Sequence, residues 1–177
     1  ADAKRGDIGN TSRHYARCFF QQMDFDALTV APYMGRDSVE PFLEHADKTV
    51  FLLGLTSNPG AQDLQYRQTE GEPLWQGVLR TSQTYQGAGT LGYVVGATRA
   101  AHLSTVRRIA PQAPLLIPGV GAQGGDLASV VEATAAGGPV YINASRSILY
   151  ASQGQDFARA ARQAAQAMQQ AIKQAAS

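Results

Sequence analysis

Three charged residues at the head of the chain, Asp2, Lys4 and Asp7, stand at a spacing suited to electrostatic and proton-transfer chemistry. In an extended strand, residues 2 and 4 share a face because successive side chains alternate. Asp2 and Lys4 are therefore expected together at a strand end, with Asp7 three residues on, in the following loop. Two carboxylates flanking one ammonium form an alternating array that keeps the lysine protonated and the carboxylates ionised. The same residues also suit a solvated charged turn.

A second cluster, Pro118-Gly119-Val120-Gly121-Ala122-Gln123-Gly124-Gly125-Asp126, follows an apolar run and precedes a helical one. Backbone N–H groups of a glycine-rich loop before a helix N-terminus form a ready anion site. Asp126 is well placed as the N-cap of that helix. Gly119, Gly121 and Gly124 also satisfy G-x-G-x-x-G, but the dinucleotide fingerprint expects an acid about 20 residues on. Here that stretch reads Pro139-Val140-Tyr141-Ile142-Asn143-Ala144-Ser145, without an acid. A third cluster, Asn143-Ala144-Ser145-Arg146-Ser147-Ile148, ends the last apolar run. The planar fork of Arg146 suits bidentate phosphate binding.

The elements that must position these groups alternate in type. Short, nearly continuous apolar runs at Leu28–Pro32, Thr49–Leu55, Gly92–Ala97, Pro114–Ile117 and Val140–Ala144 predict parallel strands buried on both faces. Helices are expected at Thr11–Met23, Ser38–Ala46, Gly60–Gln68, Leu74–Gln86, Ala100–Ile109, Asp126–Ala136 and Gln155–Ala176. In the last of these, Phe157, Ala161, Ala164, Met168 and Ile172 share one face, which would cover the final strand. The alternation predicts an α/β fold with five whole strand–helix units, Ala1–Ile8 being the tail of another. A (β/α)8 TIM barrel takes about 250 residues, or roughly 30 per unit, so this length holds about six units. The reading is one barrel domain over residues 1–177 whose first two βα units lie outside the chain. On spacing alone, a six-stranded open sheet remains the alternative. If Val140–Ala144 is the eighth barrel strand, the glycine cluster and Arg146 fall on the two loops where barrel phosphate sites are frequently built.

Composition fits an ordinary globular protein: 177 residues, 44% apolar and 16% charged, with a formal net charge of +1. That balance calls for neither nucleic acid nor an acidic membrane surface. No apolar run reaches the 18 or so residues of a membrane span. The first residues lack a basic-then-apolar signal pattern. The single cysteine, Cys18, excludes an internal disulfide, suits a cytoplasmic protein and is expected in the core. His14, His45 and His102 are scattered, so no metal site is expected.

Taken together, the motifs resemble the orotidine 5′-phosphate decarboxylase family in its longer bacterial form. The resemblance lies in Asp2-Ala3-Lys4-Arg5-Gly6-Asp7-Ile8 followed by Thr11, in Thr56-Ser57-Asn58-Pro59-Gly60, in Pro118–Asp126 and in Arg146, in the family's order. It implies cofactor-free decarboxylation of orotidine 5′-monophosphate (OMP) to UMP. Asp2, Lys4 and Asp7 would belong to a Lys-Asp-Lys-Asp array in which Lys4 protonates C6 and Asp2 lies beside the departing carboxylate. Asp7 and Thr11 would reach across a homodimer interface, and Ser57 would read the pyrimidine edge. Gln123 and Arg146 would hold the phosphate, while Pro118 and Val120 line the pocket. The family's first array lysine and a ribose-binding aspartate come from strands with no counterpart here. Two alternatives stand beside this reading: a Mg2+-dependent sugar-phosphate decarboxylase or aldolase of the same barrel group, and a non-catalytic nucleotide-binding fragment.

Overall fold

The computed structural model describes residues 1–96, 100–120 and 127–176. In chain order the elements are α1 (Gly9–Arg17), β1 (Ala27–Val30), α2 (Arg36–Leu43), β2 (Thr49–Leu55), α3 (Ala61–Leu64), β3 (Gln68–Thr69), β4 (Glu72–Pro73), α4 (Leu74–Ser82), β5 (Thr90–Val95), α5 (Ala100–Ile109), β6 (Leu115–Pro118), α6 (Leu127–Thr134), β7 (Val140–Asn143), α7 (Arg146–Leu149) and α8 (Phe157–Ala175). All five expected strands form. The Ala97 end of the third expected strand and the Asp126 cap lie outside the described residues.

The main sheet is wholly parallel, in the order β1-β2-β5-β6-β7. Residues 1–5 run alongside β1, with a parallel bridge between Arg5 and Val30. Each strand thus adds next to its predecessor. Parallel crossovers are right-handed, so steps in one direction put every helix on the same side. A doubly wound sheet instead reverses its order at a switch point, and no reversal occurs among the described strands. The dinucleotide-fold reading of the glycine motif is therefore set aside.

Alternation along the strands separates two faces. Leu28, Val30, Val50, Leu52, Tyr93, Val95, Leu115 and Ile117 are fully buried. They form one core with Ala16, Phe20, Val39, Phe42, Leu79, Leu103, Val106 and Val130 of the helices. Thr29, Phe51, Gly92, Leu116, Pro118, Tyr141 and Asn143 occupy the opposite, helix-free face. There the rings of Phe51 and Tyr141 meet edge to face, with centroids 5.7 Å apart. Their strands, β2 and β7, are three places apart in the sheet. In a flat sheet that separation would be roughly 14 Å. The sheet is curled, and these residues line its concave side. A Cβ on Gly92 would lie 2.9 Å from the Phe51 ring, so glycine gives that ring its room to cross β5. The architecture is an arc of a (β/α) barrel.

Several boundaries differ from expectation for local reasons. The expected helix Thr11–Met23 is α1 continued by a π-helical turn, Cys18–Gln22, closed by Met23 N–H on Cys18 O at 2.9 Å. Cys18 is half-buried rather than in the core. The expected helix Gly60–Gln68 stops at Leu64, and β3 and β4 form a small hairpin beyond it. The hairpin turns on Glu70 and Gly71, both at positive φ, a tight-turn pair within Thr69-Glu70-Gly71-Glu72. The C-terminal helix was expected to cover the last strand. Ile172 and Ala176 do border Val140 and Ile142, across a cavity of about 280 Å3.

At the N-terminal end of the strands, Arg107 is buried without a carboxylate partner among the described residues. Its guanidinium donates to the carbonyls of Ala113 (2.7 Å), Pro111 (3.2 Å) and Gly138 (2.6 Å). It thereby ties the turn after α5 to the turn before β7.

Candidate active site

The geometry of residues 1–5 departs from a regular strand. Ala1 N donates to Ala27 O and Thr29 N–H to Ala1 O, so Ala1 stands opposite Leu28. Arg5 N–H donates to Thr29 O and Ala31 N–H to Arg5 O, so Arg5 stands opposite Val30. Four steps on the leading segment match two on β1. The surplus forms an arch at Asp2-Ala3-Lys4, with Lys4 at φ +48°. Simple alternation was expected to bring Asp2 and Lys4 together; this bulge does so instead. Lys4 Nζ lies 2.5 Å from Asp2 Oδ1, with both side chains more than half exposed. The bound ammonium holds the Asp2 carboxyl below the usual carboxylate range, against a smaller upward push from partial burial.

Thr29, only 3% exposed, underlies the pair. Its hydroxyl donates to Asp2 Oδ1 at 3.0 Å and accepts the Lys4 backbone N–H at 2.9 Å. The sequence offered one hint, a lone hydroxyl within an otherwise apolar strand.

Asp7 is half-buried beside the start of α1. Its Oδ1 accepts Ile8 N–H at 2.7 Å, and its carbonyl accepts the Ser12 hydroxyl. Thr11 is exposed on the first turn of α1. Ile8, Tyr33 and Met34 nearby are exposed apolar side chains.

Ser57 follows β2 and packs against the end of β5, where a Cβ on Gly96 would come 2.9 Å from its own. The loop carrying it is clamped by Gln65, which sequence reasoning missed. Gln65 Oε1 accepts Thr56 N–H at 2.8 Å, and Gln65 Nε2 donates to Thr56 Oγ1 at 2.7 Å. Thr56 Oγ1 in turn donates to Asn58 Oδ1 at 2.6 Å. A Gln just past a short helix gives no signal of this role, because its target lies nine residues back.

Pro118 ends β6 on the concave side, in register with Asn143 of β7. Gly119 follows at φ +84° and donates its N–H to Asn143 O at 3.1 Å, which joins the glycine loop to the last strand three residues before Arg146. Arg146 opens α7, exposed, and its side chain bonds to no described residue. Gln123 lies outside the described residues. Val120 is 3% exposed and borders a cavity of about 300 Å3 with Leu127, Ser147, Ile148, Ala164 and Met168, on the side of α7 and α8.

Asp2, Lys4, Ser57, Pro118 and Arg146 all stand at or just beyond the C-terminal ends of parallel strands. On the concave side a hollow of about 210 Å3 spans the sheet from Ala1, Asp2 and Thr29 past Phe51 to Leu116. Lys4, Ser57, Pro118 and Arg146 do not line that hollow. Among the described residues no three His, Cys, Asp or Glu side chains cluster as metal ligands, and no helix is long and apolar enough to cross a membrane.

An arc of parallel strands in chain order, its polar groups gathered beyond the strand C-termini, defines a barrel of the (β/α) class, in which chemistry is done at that end. Sequence comparison narrows the class: the chain belongs to the orotidine 5′-phosphate decarboxylase / HUMPS family, whose model matches residues 1–163. It is 55% identical to an orotidine 5′-phosphate decarboxylase of Porphyromonas gingivalis over 98% of this chain and 63% of that one. It is 52% identical to one from Azoarcus sp. over 97% and 64%. The chain thus spans under two thirds of the length of these curated relatives. Among solved structures, OMP decarboxylase of Leishmania donovani superposes with a TM-score of 0.79 at 35% identity, over 97% of this chain and 66% of that one. The Methanocaldococcus jannaschii enzyme, solved with the inhibitor BMP, gives 0.69 at 25% identity over 95% and 72%.

Proposed function

We propose that this chain is the strand-end portion of an enzyme that decarboxylates orotidine 5′-monophosphate to UMP, without a cofactor, in cytoplasmic pyrimidine synthesis. The observation that carries the reading is the Asp2–Lys4 pair, 2.5 Å apart, arched over the end of β1 in a barrel arc. Loss of CO2 from C6 leaves a carbanion with no adjacent carbonyl to absorb the charge. The site must meet that charge directly. An ammonium at about 4 Å, in an effective dielectric of about 20, is worth roughly 4 kcal/mol. Lys4 supplies that ammonium and then the proton for C6. Asp2 takes the place beside the substrate carboxylate, and its depressed pKa keeps it charged there.

The remaining roles follow the same logic. Ser57, on a loop fixed by Gln65, presents a hydroxyl for the pyrimidine edge. Arg146, whose side chain bonds to no described residue, is available to phosphate, a role it would share with Gln123. Pro118 faces the concave side, near the base. Val120 follows on the other side, its side chain packed toward α7 and α8. Asp7 and Thr11, beside exposed Ile8, Tyr33 and Met34, face a second copy in a homodimer. Phosphate binding remote from C6 supplies energy to orient the base. Residues 1–177 belong to one barrel domain and form part of it. Neither nucleic acid nor a membrane is a partner in this reading.

The test is turnover of OMP by the full-length enzyme, followed by the loss of orotate absorbance with and without EDTA. Decarboxylation that survives EDTA supports the reading. No turnover, or turnover only of a sugar phosphate with Mg2+, rejects it.

A further inference from the structure

We propose that Thr29 is the positioning residue of the Asp2–Lys4 pair, its one buried hydroxyl fixing both members and so setting where the Lys4 ammonium reaches. The proposal rests on the function given above. A hydroxyl has a single proton. The Lys4 backbone N–H, at 2.9 Å, can only donate, so it occupies the acceptor side of Oγ1. The proton is thereby directed to Asp2 Oδ1, at 3.0 Å. Asp2 Oδ1 also holds Lys4 Nζ at 2.5 Å. The three groups close a ring: Thr29 hydroxyl, Asp2 carboxylate, Lys4 ammonium, and back through the Lys4 backbone.

The arch gives the ring its purpose. Lys4 sits at φ +48°, a conformation that non-glycine residues rarely adopt. Backbone bonds to β1 hold the arch at its feet, Ala1 and Arg5. Between them, Thr29 is the contact that takes up the Lys4 N–H. Phe51, the neighbour of Thr29 on β2, has no polar side-chain atom to replace it. The β-branched side chain of threonine restricts χ1, so the hydroxyl is aimed before any substrate arrives. An apolar side chain at this position would leave the Lys4 amide without an acceptor and Asp2 with one donor fewer. The ammonium would then be free to leave its aim while the phosphate and base contacts, on other loops, stayed intact.

The experiment compares wild type, Thr29→Val and Thr29→Ser in the full-length enzyme, by steady-state kinetics on OMP, UMP titration and hydrogen exchange of the Lys4 amide. Thr29→Val is expected to lower kcat roughly ten- to hundredfold. Its KM and UMP affinity should stay within about threefold of wild type, because ground-state contacts are untouched. Lys4 amide exchange should quicken. Thr29→Ser, which keeps the hydroxyl, should restore most of kcat and the amide protection. Wild-type kcat in Thr29→Val, a parallel loss of kcat and UMP binding, or a Ser variant no better than Val would each overturn the proposal. If the wild-type enzyme itself leaves OMP untouched, the functional reading fails separately. The positioning role is then decided by amide exchange alone: faster in Thr29→Val and slow in Thr29→Ser upholds it, and equal rates overturn it.

Discussion

The rings of Phe51 and Tyr141 touch edge to face at 5.7 Å although their strands stand three places apart. That contact measures the curl of the sheet and gathers the strand ends around one concavity. Phe51 is 7% exposed, and Gly92 leaves the space it fills. Truncation to Phe51→Ala is expected to cost about 3 kcal/mol of unfolding free energy, at the low end for a buried phenylalanine because one side of the ring faces the open concavity. Urea denaturation of the full-length protein measures it, and a cost under about 1 kcal/mol would mean that the curl does not depend on this ring.

Lys4→Ala should nearly abolish decarboxylation. A positioned proton donor alone is typically worth about a hundred- to ten-thousandfold, and electrostatic stabilisation adds to it. UMP binding should persist, since the phosphate contacts lie on other loops. Single-turnover kinetics beside UMP titration separates the two, and retained turnover would remove Lys4 from the chemistry.

Arg146→Ala should raise KM for OMP roughly ten- to hundredfold, the loss expected for a charge-assisted bond to phosphate. An unchanged KM would move the phosphate elsewhere. Orotidine without its phosphate should respond little to the same substitution.

The pH dependence of Asp2 has a definite sign. Its folded-state pKa is depressed, chiefly by the hydrogen bond from Lys4. A group of this kind stabilises the fold above its unfolded pKa, and that contribution fades as pH falls through the folded value. The stability effect is small, because both partners are more than half exposed and screened by solvent. The direct measurement is a carboxyl carbon titration by NMR: the Asp2 midpoint should lie below that of an unperturbed aspartate and rise in Lys4→Met.

Arg107 provides a stability prediction remote from the site. Burial of its guanidinium lowers the pKa of the group, and three backbone carbonyls are its compensation. Arg107→Met strands the Ala113 and Gly138 carbonyls, while that of Pro111 keeps the Gly138 N–H, and should destabilise the fold by about 2–3 kcal/mol without changing KM. Lysine cannot span all three acceptors, so Arg107→Lys should recover only part of the loss.

The chain's letters alone determined much of this protein. Apolar runs such as Thr49–Leu55 are bounded as strands because a strand buried on both faces tolerates almost nothing else. The end of β6 at Pro118 and Gly119 was legible because glycine and proline mark a turn in the local backbone. What a linear reading could not supply was decided by contacts between distant residues. Four steps of the leading segment match two of β1, and that register arches Lys4 over Asp2. Gln65 reaches back nine residues to hold the Ser57 loop. Val120, a pocket residue by motif, turns toward α8 because the nearest apolar surface belongs to Leu127 and Met168. Periodicity reports which way a side chain points relative to its own element; only packing decides which partner it meets there, because that choice depends on register and curl, which are properties of the assembled sheet.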